Sequence, residues 1–138
     1  MSTYTAGQAA SLSGIDYRNL DYYATSGVVV PSIAVAEGKG SQRLYSFGDV
    51  VALTVIKRAR GLGLTIRSLT GLIEYLRGHD YRAIGQPTYL LWQRDEEPKE
   101  AYTLDALASW VAEDSEKGYP VAVFNLSALV DDLIAKGA

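Results

Sequence analysis

The segment SLSGIDYRNLDYY, residues 11–23, presents Tyr17, Arg18, Asn19, Asp21, Tyr22 and Tyr23 almost without a break. A second polar group, Lys39, Ser41, Gln42 and Arg43, follows in the turn-forming stretch EGKGSQR. The chemistry open to these side chains is recognition. Guanidinium and amide groups make paired hydrogen bonds to planar partners, hydroxyls donate to oxyanions, and an ammonium is a point charge for anions. Bond-making chemistry has no comparable cluster. The chain has no cysteine, its one histidine is His79 in the stretch GHDYRAIGQP, and nowhere does a nucleophile stand beside a base. An enzyme is therefore not expected. Without thiolates, and with a single histidine, no metal site or other cofactor is expected either. GKGS has the look of a phosphate-binding loop, but no Walker spacing surrounds it and no helix directly follows.

Charge narrows the anion. The 138 residues carry a net charge of −3, yet residues 1–85 hold nine Lys and Arg against six Asp and Glu, and residues 86–138 hold four against ten. Between Tyr17 and Arg67 the ratio is seven basic to three acidic. A basic front half suits one part of the molecule to a polyanion and leaves the other part out of that contact, although an excess of this size is also what a solvated face shows. With 48% hydrophobic and 21% charged residues, the chain can build one compact domain, or a small domain with an appendage. The longest apolar run, Val50 to Ile56, is too short to span a bilayer, and MSTYTAGQAA lacks the basic and apolar regions of a signal peptide. A cytoplasmic protein is expected.

The elements that must position these groups follow from local signals. Thr5 with Gln8 is a capping-box pair opening a helix through Ala9, Ala10 and Leu12, and Gly14 is its stop. Asp16 is the N-cap of a second helix, in which Leu20, Tyr23 and Ala24 keep helical spacing. Two short helices about a glycine turn make a helix-turn-helix. From Gly27 the period changes. VVVPSIAVA and QRLYSF are extended runs on either side of EGKGS, a hairpin or wing with its tip near residues 38–41, and Pro31 confines the first run to an edge. Ser46 with Asp49 caps a third helix, Phe47 to Arg60, whose closing Lys57, Arg58 and Arg60 complement the helix dipole. Thr65 starts a fourth, Ile66 to Arg77, with Leu69, Leu72, Ile73 and Leu76 on one face. GHDYRAIGQP reads as a linker. Beyond it the order is β-α-β-α: TYLLW, a helix LDALASWVAED behind Thr103, PVAVFNL, and a helix SALVDDLIAKG behind Asn125. QRDEEPKEA is expected as an acidic loop after the first of these strands.

With these elements in order, the first 77 residues resemble the winged helix-turn-helix domain of MerR-family transcription regulators. The matching features are Gly14, the paired Tyr22 and Tyr23, Gly27 to Pro31, Arg43-Leu44-Tyr45, and Gly63-Leu64-Thr65. The resemblance implies a recognition helix whose first turns enter the major groove, which admits a helix and displays the full base code. It assigns Arg18 to guanine or a phosphate, Asn19 to adenine, and the hydroxyls of Tyr17 and Tyr23 to phosphate oxygens. Lys39, Ser41, Gln42 and Arg43 would grip the backbone from the wing, Arg43 above all, since the family pattern asks for a cation there. Tyr22 stays open between core and contact, while Tyr45 reads as packing. Many family members carry Arg just before the paired aromatics and Glu just after; here Asp21 and Ala24 stand in those places. Asp21 could accept from cytosine N4 or orient Arg18. Family members also run on from the fourth helix into a long dimerising coiled coil, whereas this helix breaks at Gly78 with no heptads after it.

The expectation is thus an α+β protein. A winged helix-turn-helix domain with four helices and a β-hairpin wing covers residues 1–77, a linker covers 78–87, and a small β-α-β-α domain covers 88–138, for dimerisation or for binding an effector or partner. The resemblance implies a sequence-specific regulator on double-stranded DNA, a homodimer on an inverted repeat that it distorts. RNA polymerase or a small-molecule effector are its further candidate partners, with no membrane and a nucleoid-associated place in the cytoplasm. The alternative is an antitoxin-like or phage-type DNA-binding accessory protein whose tail binds a protein partner. Tyr89, Trp92, Tyr102, Trp110, Tyr119 and Phe124 would line a pocket if the tail holds an effector. Filling the core of so small a tail requires large side chains in any case, and that is the simpler account of them. Asp131 and Asp132 read as a solvated face.

Overall fold

Side-chain caps set the helical framework of the computed structural model, which describes residues 3–35, 42–79, 81–82, 84–114, 118 and 121–138. Thr5 and Gln8 close a reciprocal capping box over α1 (Ala6–Ser13), and Gly14 ends it at φ 80°, a left-handed conformation that glycine adopts without steric cost. The Asp16 carboxylate caps α2 (Tyr17–Ser26). Ser46 and Asp49 box the start of α3 (Phe47–Gly61). A 3-10 turn at Arg67–Leu69 leads into α4 (Thr70–Arg77), so the fourth helix begins later than its apolar period suggests.

Burial makes α3 the axis of the molecule. Every residue from Phe47 to Ile56 is buried, the pattern of a helix surrounded on all sides rather than lying on a surface. Its Gly48 sits so close to the chain leaving α4 that a Cβ there would lie 3.0 Å from the His79 carbonyl oxygen. The same buried cluster takes in Leu12, Leu20 and Leu72, and continues to Leu90, Phe124 and Leu133 of the tail. Within the stretch that reads as a linker, Tyr81 is buried, and Arg82 donates to the Tyr4 hydroxyl at 2.9 Å and to the Ala138 carbonyl at 3.0 Å while stacking over Phe47.

Two small sheets complete the mixed α and β architecture. Tyr4–Thr5 (β1) pairs antiparallel with Leu44–Tyr45 (β2), a contact absent from the sequence reading because neither partner is long enough to show alternation. The first extended run forms no strand among the described residues. It contributes one isolated bridge, Ala34 to Leu44, beside β2, and the expected hairpin tip lies outside the described residues. In the tail, β3 (Tyr89–Gln93) is the central strand, flanked by β4 (Lys99–Ala101) and β5 (Val121–Asn125), all antiparallel in the order β4-β3-β5. α5 (Leu104–Asp114) follows β4, and α6 (Leu126–Ala135) follows β5 directly, capped by Asn125. β4 corrects the expected acidic loop. Asp95 adopts φ 64°, which Asp tolerates, and Glu96 N–H bonds the Gln93 carbonyl, so the chain turns back and Lys99–Ala101 pairs with β3 despite its poor strand composition. Of the tail aromatics, Trp92 and Phe124 are core, Tyr102 is exposed, Tyr89 and Trp110 are half-buried, and Tyr119 lies outside the described residues.

Candidate nucleic-acid interface

α2 owes its orientation to Leu20 and Tyr23, which turn inward three residues apart, as a helix period requires. Tyr23 is only 7% exposed, and burial pushes its hydroxyl above the ordinary tyrosine value, with the nearby Arg60 charge acting in the opposite sense. The ring is therefore a wedge under the helix. Tyr22, left open by the sequence, is 60% exposed, and Tyr17 is 59% exposed. Arg18, Asn19, Asp21 and Thr25 share the solvent-facing side with them. At the helix start Asp16 accepts from the Asn19 backbone N–H at 2.8 Å and from its side-chain Nδ2 at 3.1 Å. This leaves the Asn19 Oδ1 and a second amide proton available to a base edge.

Among the described residues, the segment leading into β2 meets α2 through the Arg43–Asp21 ion pair. Arg43 Nη1 lies 2.6 Å from Asp21 Oδ1, and that hydrogen bond, first among the causes, raises the guanidinium pKa further. Gln42 is exposed beside Arg43, whereas Lys39 and Ser41 lie outside the described residues. Tyr45 is fully buried, its hydroxyl without a hydrogen-bond partner among the described residues, which fits a packing role.

A buried carboxylate holds this arrangement from behind. Asp49 has no exposed surface and accepts four hydrogen bonds: from Ser46 N at 3.0 Å, Ser32 N at 2.8 Å, Ser32 Oγ at 2.6 Å and Arg77 Nε at 2.9 Å. Arg77 also donates to the Val30 carbonyl and to Ser32 Oγ. One residue thus caps α3, fixes the segment leaving α2 at Ser32, and ties both to the end of α4. The sequence showed Asp49 only as half of a capping box. Its bonds to Ser32 and Arg77 span 17 and 28 residues and leave no local signature.

The basic end of α3 divides between two faces. Arg58 lies 3.9 Å from Asp132 of α6, so it turns toward the tail. Lys57 packs against Gly14 in the turn between α1 and α2, and Arg60 is close enough to Tyr23 to bias its ionisation. These two cations flank the helix-turn-helix, a placement that the dipole explanation of the cluster does not reveal. Among the described residues no group of three or more His, Asp or Glu side chains could hold a metal ion, and no helix is long and apolar enough to cross a membrane.

The model of the family described as MerR HTH family regulatory protein matches residues 4–76, from β1 to the last turn of α4. The chain belongs to the MerR HTH family. A MerR-type match over this span covers both α2 and the Asp21–Arg43 contact. An HTH-type transcriptional regulator of Mycobacterium tuberculosis is 43% identical over 74 residues, 54% of this chain and 33% of the relative. The HTH-type transcriptional regulator HmrR of Sinorhizobium medicae is 32% identical over 71 residues, 51% of this chain and 46% of its own length. The heavy metal-dependent transcription regulator 2 of Rhizobium meliloti is 30% identical over 71 residues, with the same shares. The chain therefore spans between a third and a half of the length of these relatives, and β3 to α6 lie outside the family match.

Proposed function

We propose that the protein is a sequence-specific transcription regulator that lays the exposed face of α2 in the major groove of double-stranded DNA. The observation that carries this is the geometry of α2 inside the MerR match. A capped helix is anchored by Leu20 and Tyr23, turns Arg18, Asn19 and Tyr17 to solvent, and is joined at 2.6 Å to Arg43 beside it. Arg18 and Asn19 read bases, and the Tyr17 hydroxyl, Gln42, Arg43 and the wing residues Lys39 and Ser41 contact phosphates. Tyr23 acts through its packing and offers at most its hydroxyl edge. Residues 1–77 form the DNA-binding unit, and residues 88–138, joined through 78–87, serve pairing of two copies or binding of a partner. A dimer on an inverted repeat follows from the family mode of binding, and distortion of the site is offset by contacts that the bent duplex makes possible. The exposed apolar side chains of the tail, Tyr102, Leu104 and Val123, support a second reading in which an accessory protein uses some of them to hold a protein partner. The cytoplasm is the compartment for either role.

Selection of bound duplexes from random DNA, read by sequencing with Arg43→Ala as control, tests the proposal. An enriched inverted repeat that is lost in the variant supports a dimeric regulator and gives its half-site spacing. Absence of enrichment at low salt transfers the lead to the accessory reading.

A further inference from the structure

Resting on the placement of α2 against DNA, we propose that Asp21 is a gate on Arg43, opened by a cytosine in the target site. Asp21 is 52% exposed in the middle of the solvent face of α2, one turn after Arg18, and its carboxylate already holds the cation expected to grip a phosphate. A free carboxylate there would face the negative potential of a duplex. Arg43 cannot leave for a phosphate without exposing that charge, so on DNA of arbitrary sequence the pair stays closed and contributes no net charge to binding. The carboxylate can be satisfied from the major groove only by a donor. Two amino donors face this groove, N4 of cytosine and N6 of adenine; adenine N6 lies beside the N7 acceptor, which repels a carboxylate, so cytosine N4 is the donor that suits aspartate. When a cytosine lies under Asp21, its N–H takes the place of the guanidinium N–H, and Arg43 is released to a phosphate. Base identity at one position thereby controls a backbone contact, which converts a sequence-independent cation into part of the specificity.

Salt titration of wild type, Asp21→Asn, Asp21→Glu and Arg43→Ala tests this, using the duplex recovered by selection and a scrambled duplex of the same length. Helical circular dichroism of each variant checks that the fold is kept, as expected for an exposed position. For Asp21→Asn on scrambled DNA, tighter binding is expected, with log K against log salt steeper by about 1.8, one extra phosphate contact from each subunit of the proposed dimer. On the selected duplex the slope should match wild type, so the ratio of selected to scrambled affinity narrows several-fold. Repeat selection with Asp21→Asn should lose a cytosine at one position of each half-site, and Asp21→Glu should keep the wild-type slope on scrambled DNA. An unchanged slope on scrambled DNA, or equal steepening on both duplexes, overturns the gate. Wild-type slopes on both duplexes for Arg43→Ala would instead remove the DNA-facing placement of this region, and the gate with it.

Discussion

Asp49 and Asp21 each hold an arginine, at 2.9 and 2.6 Å. Asp49 has no exposed surface, and its oxygens are shared among four donors from three parts of the chain. Asp21 is half exposed, so its contact with Arg43, whose own side chain is 18% exposed, is open to water on the carboxylate side. The same two residue types therefore have different physics. A buried carboxylate stripped of its partner keeps its desolvation cost, so that pair is a fixture of the fold. An exposed pair gains little from association, because water and salt compete with each ion, and it can be exchanged for another partner at small cost.

The sharpest way to break this contrast is to remove the buried partner. Arg77→Ala should destabilise the fold by about 3–5 kcal/mol in urea unfolding, since Asp49 would be left charged and buried. A loss below about 1 kcal/mol, the range of exposed pairs, would make the two aspartates alike. Asn19→Ala should lower discrimination at particular base pairs by about 1–3 kcal/mol, measured by competition among single-base variants of the selected duplex, with stability nearly unchanged. Arg43→Ala should weaken binding most on the selected duplex and make the salt slope there shallower by about 1.8, one phosphate contact from each subunit of the proposed dimer, so that selected and scrambled duplexes are bound more nearly alike.

Tyr81 extends the contrast to a buried group without a partner. Its hydroxyl finds no hydrogen bond among the described residues, and burial, with the nearby Glu100 charge, pushes its pKa far above the usual 10.0. The unfolded chain releases that proton near pH 10 and the folded chain does not. The unfolded state then binds fewer protons, so stability is unaffected below pH 10 and falls as pH rises beyond it. Tyr81→Phe should flatten that alkaline decline in thermal melts and leave neutral stability equal or higher by about 1 kcal/mol. The smallest effect is expected at the exposed pair: Asp21→Ala should change unfolding free energy by no more than about 0.5–1 kcal/mol.

What was legible in the sequence was local. Thr5, Asp16, Ser46 and Asn125 cap the helices where their side chains face an unpaired N–H within one turn, and those caps are present. Spacing put Tyr23 with Leu20 on one helical stripe, and both are buried, while the contact of the Tyr23 hydroxyl with phosphate, which the resemblance implies, belongs to the proposal. Contacts between distant segments left no such trace. β1 and β2 are two residues each, β4 is charged, and the Asp49 network joins residues far apart, so only packing decides them. The Asp21–Arg43 pair, 22 residues apart, belongs with these: each residue was singled out by type, and their meeting was not.

The clasp made by Arg82 has a bearing on how the chain acquires this structure. It joins Tyr4 to a partner 78 positions later and reaches on by 56 more to Ala138. Ordering such distant segments requires closing long loops, which is slow compared with forming a capped helix. α2 can therefore form early, from its own caps and the nearby turn, whereas the pairing of β1 with β2 becomes secure only when the segments around Tyr4, Arg82 and Ala138 have come together. In pulsed hydrogen exchange during refolding, amides of α2 should gain protection before those of Tyr4 and Tyr45, which pair across β1 and β2; the reverse order would show that the long-range clasp nucleates the fold.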